Sequence, residues 1–174
     1  MPDPELARFI DRCTFEYVRV FPHPIERVWR AIADPAEISE WFWTAAFELR
    51  LGAPFAFGPD ANGIRGVILA LDPPRLLRFS DPGTGVEGYF EFTLASVAGG
   101  TQVRLVQHGT PAFVPDGWPW PGLLAGWHRT IDHLGVFLDA DVWRRDRAPT
   151  EAALTEMYRR IIASDPTFAR RPDP

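Results

Sequence analysis

Residues Gly122 to Trp143 read GLLAGWHRTIDHLGVFLDADVW, and the fold turns on that stretch. Leu123, Trp127, Ile131, Leu134, Leu138 and Val142 recur at steps of four and three, the period of one face of an α-helix. Arg129, Asp132, His133, Asp139 and Asp141 supply only a narrow polar stripe. A helix with so wide an apolar surface needs cover on most sides. Gly126 and Gly135 lie inside it, and an interior glycine costs about 1 kcal/mol against alanine. Such residues make sense where another surface, or a bound molecule, comes close. The cover that the sequence offers is a curved β-sheet built from the residues upstream.

Those residues read as follows. Leu6, Phe9, Ile10 and Cys13 fall at helical spacing and predict a short N-terminal helix. Thr14 to Phe21 (TFEYVRVF) alternates, with Phe15, Tyr17 and Arg19 on one side and Glu16, Val18 and Val20 on the other, so both faces of this strand are expected to be partly covered. Ile25, Val28, Trp29 and Ile32 form a helical stripe entered at Pro24. Asp34 then has the form of an N-cap, with Pro35 at the first helical position and Glu37 in the capping-box place, which predicts a second short helix over Pro35–Trp41. From Trp43 onward short strands alternate with turn residues. Strands are predicted over Phe47–Leu51, Pro54–Phe57, Gly66–Leu71 (almost wholly apolar, as in a central strand), Leu76–Ser80, Val86–Ser96 and Thr101–His108, with a tight hairpin at Gly99-Gly100. Strand, two helices, about six strands and a long helix imply an antiparallel meander curled over that helix. A proline-rich loop with Trp118 and Trp120 leads into it.

Beyond Arg147, Thr150–Ala163 sets Leu154, Met157, Tyr158, Ile161 and Ile162 on one helical face. Burying them contributes on the order of 5–10 kcal/mol before the entropy of ordering. This helix is expected to dock, either on its own chain or across a homodimer. The domain reading is residues 1–145 as a ligand-binding unit (core about 14–143) and 146–174 as a helical extension with a frayed tail.

The chain has 174 residues, 46% hydrophobic and 24% charged, which suits one globular domain with a substantial core. Its net charge of −5 and lack of a basic block speak against a nucleic-acid groove. All 18 basic residues are arginine, so lysine chemistry is excluded. One cysteine, Cys13, forms no intrachain disulfide. No leader pattern and no membrane-length apolar run is present, so the expected location is cytoplasmic. Seven tryptophans and thirteen phenylalanines either fill a core or line a cavity for an apolar ligand.

Five phrases in order carry a resemblance: ERVWRAIADPAEISEWF (Glu26 to Phe42), LGAPFAF (Leu51 to Phe57), GVILALDPPRLLRFS (Gly66 to Ser80), GYFEFTL (Gly88 to Leu94) and VRLVQHG (Val103 to Gly109), followed by the tryptophan-bearing helix. The chain resembles the START-like (SRPBCC, helix-grip) superfamily, and more closely the branch related to the C-terminal domain of the activator of heat-shock protein 90 ATPase. It departs from the family's usual pattern at Ala53, at Gln107, where a histidine often stands, and in the extension beyond Trp143. The resemblance implies an α+β helix-grip fold of six or seven antiparallel strands around a long helix, with a cavity between them for a small apolar molecule. The residues expected to line it are Trp41, Trp43, Phe55, Phe57, Phe79, Phe90, Phe92, Gln107, Trp127, Ile131 and Leu134. The plainer alternative is that these rings only pack the core.

His128 and Asp132 stand at i and i+4, as either a solvated helix pair or an Asp-oriented imidazole for acid–base work in a polyketide cyclase- or aromatase-like enzyme. Arg65 and Arg104 read as solvated strand charges. No HExxH, cysteine cluster or carboxylate triad points to a metal, and no phosphate loop points to a nucleotide cofactor, so no cofactor and no catalytic residue is assigned. The reading favours a small-molecule binder. The cyclase-like enzyme, and an interaction module docking through Thr150–Ala163, stand as alternatives.

Overall fold

A computed structural model of the chain describes residues 6–60, 62–110, 121–138, 149–166 and 168. Among these, eight strands form one antiparallel sheet: β1 (Arg8–Asp11), β2 (Thr14–Phe21), β3 (Ala45–Phe47), β4 (Pro54–Phe57), β5 (Ile64–Asp72), β6 (Leu76–Ser80), β7 (Tyr89–Val97) and β8 (Gly100–His108). Their order across the sheet is β1-β2-β8-β7-β6-β5-β4-β3. Two short helices, α1 (Ile25–Ala33) and α2 (Pro35–Trp41), carry the chain from β2 to β3. The long helix α3 (Pro121–Phe137) lies on the inner face, and α4 (Glu151–Ser164) packs on α3. The architecture is the α+β helix grip that the sequence predicts. No described helix is long and apolar enough to cross a membrane.

Register explains the core. Phe15, Gln107, Phe90, Phe79 and Ile68 are successive cross-strand partners from β2 to β5, and all are buried. The neighbouring row, Tyr17, Leu105, Phe92 and Leu77, is buried as well. Alternation puts both rows on one side of the sheet, where α3 sets Leu124, Trp127, Ile131 and Leu134 among the core residues. On the other side Arg8, Glu16, Val106, Glu91 and Arg78 face one another across five strands. Glu16, 1% exposed, is held there by Arg8 and Arg104, and Glu91 by Arg78. Arg104 is therefore an ion-pair partner rather than a solvated strand charge. Arg65 likewise donates to the carbonyls of Phe57 and Gly58 and to Asp60.

Four local expectations change. Residues 8–11 form a strand, not a helix. The exposed edge of β2 offers unpaired backbone groups, and Asp11 Oδ1 accepts from the Cys13 N–H at 2.7 Å, closing the turn that folds β1 onto that edge. Edge pairing outweighs the helical spacing of four apolar side chains. The strand expected at Phe47–Leu51 ends at Phe47, where a turn begins. The apolar β5 is covered on one face only: Ile68 is buried, while Val67 and Leu69 are exposed. Helix α3 ends at Phe137, with Leu138 in a turn, and the expected continuation over residues 139–143 lies outside the described residues, as do Trp118 and Trp120.

The capped helix α2 occupies the predicted bounds. Asp34 Oδ1 accepts from the Ala36 N–H at 2.9 Å, and Pro35 holds the first position. Glu37 does not close a capping box; it pairs with Arg27 and Arg30 on α1. The last helix is capped by Thr150, which accepts from the Ala153 N–H. Its apolar face is spent on its own chain: Leu154 and Tyr158 are fully buried, and Met157, Ile161 and Ile162 are partly so.

Candidate functional site

The rings expected to line a cavity meet one another. Phe55 and Phe79 lie 4.8 Å apart, Phe79 and Phe90 5.1 Å, and Phe90 and Trp127 5.1 Å between centroids. Phe57 and Phe92 join the same cluster, with Ile131 and Leu134 behind it, and all eight are buried. Such distances are those of packed aromatic pairs. Trp41 is buried too, its indole donating to the Ala31 carbonyl at 2.8 Å.

Open space begins at the end of this cluster. A pocket of about 360 Å³ lies between the first half of α3, the α2–β3 junction and the start of β5. Trp43 is 43% exposed and stacks on Phe42 at 5.2 Å, and Phe42 stacks on Trp127 at 5.8 Å. These three rings make a staircase from the surface to the core. Gly126 lines the same pocket and leaves a gap: a Cβ at that position meets nothing within 4 Å. Of the residues expected at the site, Trp41, Trp43 and Trp127 line this pocket. The remaining eight are not among its walls.

Asp81 gives the pocket a polar end. It follows β6 and is 6% exposed. Burial pushes its carboxyl pKa up, against the opposing pull of hydrogen bonds from Gln107, the Gly83 backbone and Thr84. Gln107 Nε2 faces four acceptors: Asp81 Oδ2 at 3.1 Å, Thr84 Oγ1 at 3.3 Å, and the carbonyls of Tyr89 and His108 at 3.2 Å each. That surplus fixes which way the amide points. Its Oε1 is buried without a partner among the described residues, and so is Trp127 Nε1. Sequence reasoning missed Phe42 and Asp81. Asp81 stands in an Asp-Pro-Gly segment that reads as turn punctuation, and only its burial marks it out.

His128 and Asp132 form neither a solvated pair nor a pocket dyad. His128 is 5% exposed and lies under α4, its Nδ1 2.8 Å from the Tyr158 hydroxyl and its Nε2 3.4 Å from Asp132 Oδ2. Both ring nitrogens face protein partners. Asp132 also meets Arg19 from β2 at 3.3 Å, and the Tyr17 hydroxyl donates to the Leu124 carbonyl at 2.6 Å. Burial raises the hydroxyl pKa of Tyr17 strongly and that of Tyr158 too. A second hollow, of about 690 Å³, runs between α2, α3 and the start of α4, and Asp132, His133 and Leu154 are among its walls. His128 lines neither hollow. His133 lines both, and burial first, then Arg129, lowers its pKa. Among the described residues no group of three or more histidine, cysteine or acidic side chains is arranged to hold a metal.

Residues 22–139 match a family model described as Activator of Hsp90 ATPase homolog 1-like protein. No curated protein matches the chain. Among solved structures it is similar to protein MLL2253 from Mesorhizobium loti, at 28% identity and TM-score 0.62, covering 72% of this chain and 96% of that one. CalU16 from Micromonospora echinospora is similar at 24% identity and TM-score 0.65, covering 91% and 96%. A conserved protein of unknown function from Enterococcus faecalis, EF2215, reaches TM-score 0.68 at 15% identity, covering 90% and 89%. The last two likenesses show the fold alone, and they extend beyond residues 22–139.

Proposed function

The chain belongs to the activator of Hsp90 ATPase homolog 1-like family, within the START-like (SRPBCC) superfamily, and from that premise we propose that it binds a small, largely apolar or aromatic molecule. The ligand sits in the pocket of about 360 Å³ at the end of the ring cluster, not among the packed core rings. One observation carries this reading: a helix-interior glycine, Gly126, faces open space in the pocket that the Trp43–Phe42–Trp127 stack also lines. A residue costing about 1 kcal/mol of helix stability fits a surface kept clear for a flat guest.

The test is equilibrium dialysis with 2-methylnaphthalene, comparing the natural chain with Gly126→Phe. The expected result is saturable binding that weakens by at least about tenfold, or 1.4 kcal/mol, in the variant, with an unchanged circular-dichroism spectrum. Equal affinity in both proteins would place the guest elsewhere and end this reading. Native mass spectrometry of freshly purified protein then identifies any molecule retained.

A further inference from the structure

Among the described residues three acidic side chains are buried: Glu16, Asp81 and Glu91. Two of them have arginines. Glu16 meets Arg8 and Arg104, and Glu91 meets Arg78. The partly buried Asp132 likewise meets Arg19. Asp81 breaks the pattern. Its carboxylate meets the Gln107 amide, the Gly83 backbone N–H and Thr84, all neutral, and no arginine or histidine among the described residues pairs with it. A buried carboxylate without a countercharge is uncommon, because neutral donors replace only part of its hydration. Of the three buried acids, Asp81 alone lines the pocket.

We propose that the missing countercharge arrives with the ligand, and that the pocket takes a protonated amine carried on an otherwise apolar aromatic skeleton. This step rests on the pocket being the binding site. The other charged walls leave the role open. Arg129 is paired with Glu151 at 3.0 Å, and the lowered pKa of His133 keeps its ring neutral at neutral pH. The described walls then carry one net negative charge, that of Asp81. An ammonium brings both hydrogen-bond donors and the opposite charge. A hydroxyl donates one bond and leaves the charge uncompensated, and a carboxylate sets a second negative group beside the first. The rings of Trp41, Phe42, Trp43 and Trp127 share the pocket and tolerate a cation, because aromatic faces carry partial negative charge. Burial holds the Asp81 pKa up, and a cation beside it would draw that pKa back down.

Four probes on one ring system separate these cases: 2-naphthylmethylammonium, 2-methylnaphthalene, 2-naphthol and 2-naphthoate, measured at neutral pH by equilibrium dialysis. The ammonium is expected to bind at least about tenfold tighter than 2-methylnaphthalene, with 2-naphthol between them and 2-naphthoate weakest. Asp81→Asn keeps the shape of the side chain and removes its charge. Whatever its absolute affinities, its ammonium-to-methylnaphthalene ratio is expected to fall to below about threefold. A second measurement needs no variant: in the carbon NMR titration of the natural chain, the ammonium should lower the Asp81 carboxyl pKa and 2-methylnaphthalene should not. Equal binding of those two probes to the natural chain overturns the proposal, and so does an undiminished ratio in Asp81→Asn or an unmoved Asp81 titration. Tightest binding of 2-naphthol overturns it in favour of a neutral donor, and tightest binding of 2-naphthoate overturns it outright. Failure of every probe to bind removes the pocket as the binding site, and this proposal with it. Binding of 2-methylnaphthalene that Gly126→Phe weakens, without a preference for the ammonium, removes only the present inference.

Discussion

The Tyr158 hydroxyl lies 2.8 Å from His128 Nδ1 and 3.1 Å from the backbone N–H of Ala7, joining α4, α3 and the approach to β1 through one oxygen. The hydroxyl accepts from the Ala7 N–H and shares a hydrogen bond with Nδ1, while Nε2 lies 3.4 Å from Asp132 Oδ2. Asp132 in turn holds Arg19 on β2. Polar links of this kind fix how α4 docks, beyond what its apolar face alone requires.

Tyr158→Phe keeps the ring and removes that oxygen. It strands a buried imidazole nitrogen and a backbone N–H, so a loss of about 1–3 kcal/mol is expected. Urea unfolding measures it as a lower midpoint at unchanged slope. Hydrogen exchange should quicken at Ala7 and along α4 before the central strands respond.

Leu154→Ala tests the apolar half of the same contact. Leu154 is 1% exposed within the core cluster, and truncation there should cost about 2–5 kcal/mol. A cost below the scatter of surface substitutions would mean that α4 does not rest on α3 in solution.

Two glycines should respond with opposite sign. A Cβ at Gly126 meets open space, so Gly126→Ala should stabilise by about 1 kcal/mol through helix propensity. Gly100 has a φ of +143°, and a Cβ there would stand 2.0 Å from the Phe21 carbonyl oxygen. Gly100→Ala must bend the β7–β8 hairpin away from β2, and a loss of about 1–3 kcal/mol or more is expected. Thermal unfolding of the pair under one buffer checks both.

Asp81 predicts a pH dependence. Its folded-state pKa is raised above the ordinary value of 3.8 by burial. Below that value both folded and unfolded chains hold the proton, and the group contributes nothing. As pH rises from there through the raised pKa, the unfolded chain ionises first and stability is lost, about 1.4 kcal/mol for each unit of difference. Asp81→Asn lacks this loss. Its stability relative to the natural chain should therefore be most favourable at neutral pH and decline on acidification toward pH 3.8. A difference that is flat with pH would contradict the raised value.

Local signals in the sequence were read correctly where one residue settles the geometry. Asp34 and Pro35 define the start of α2, and Gly99-Gly100 locates the β7–β8 hairpin to within one residue, its turn being Ala98 and Gly99 with Gly100 opening β8, because cap and turn chemistry act within a few residues. The ring-bearing strands and the apolar face of α3 were legible from their periods. What escaped depends on distant chain. Residues 8–11 became a strand because β2 had an edge to fill. The partners of His128 come from positions 30 residues along the chain and, through Asp132, from Arg19, 113 residues from that carboxylate. No period encodes such pairs. At the candidate site, Trp43 and Trp127 were legible as rings, but whether a ring borders space or another ring depends on packing. Asp81 looked like a turn former until its burial was visible.

The seam between β2 and β8 has a kinetic consequence. Thr14 and His108, hydrogen-bonded at 2.8 Å, are 94 residues apart in sequence. Synthesis delivers β3 to β7 as short hairpins that can zip as they emerge, whereas β2 must wait for β8. Until that late strand arrives, Phe90 and Phe92 have no second flank, and the nascent sheet keeps an open, ring-rich margin. Closing a loop of that length before its contacts reward it is the slow step in such topologies. A ribosome paused ahead of Thr101 would therefore hold this protein in its most adhesive form.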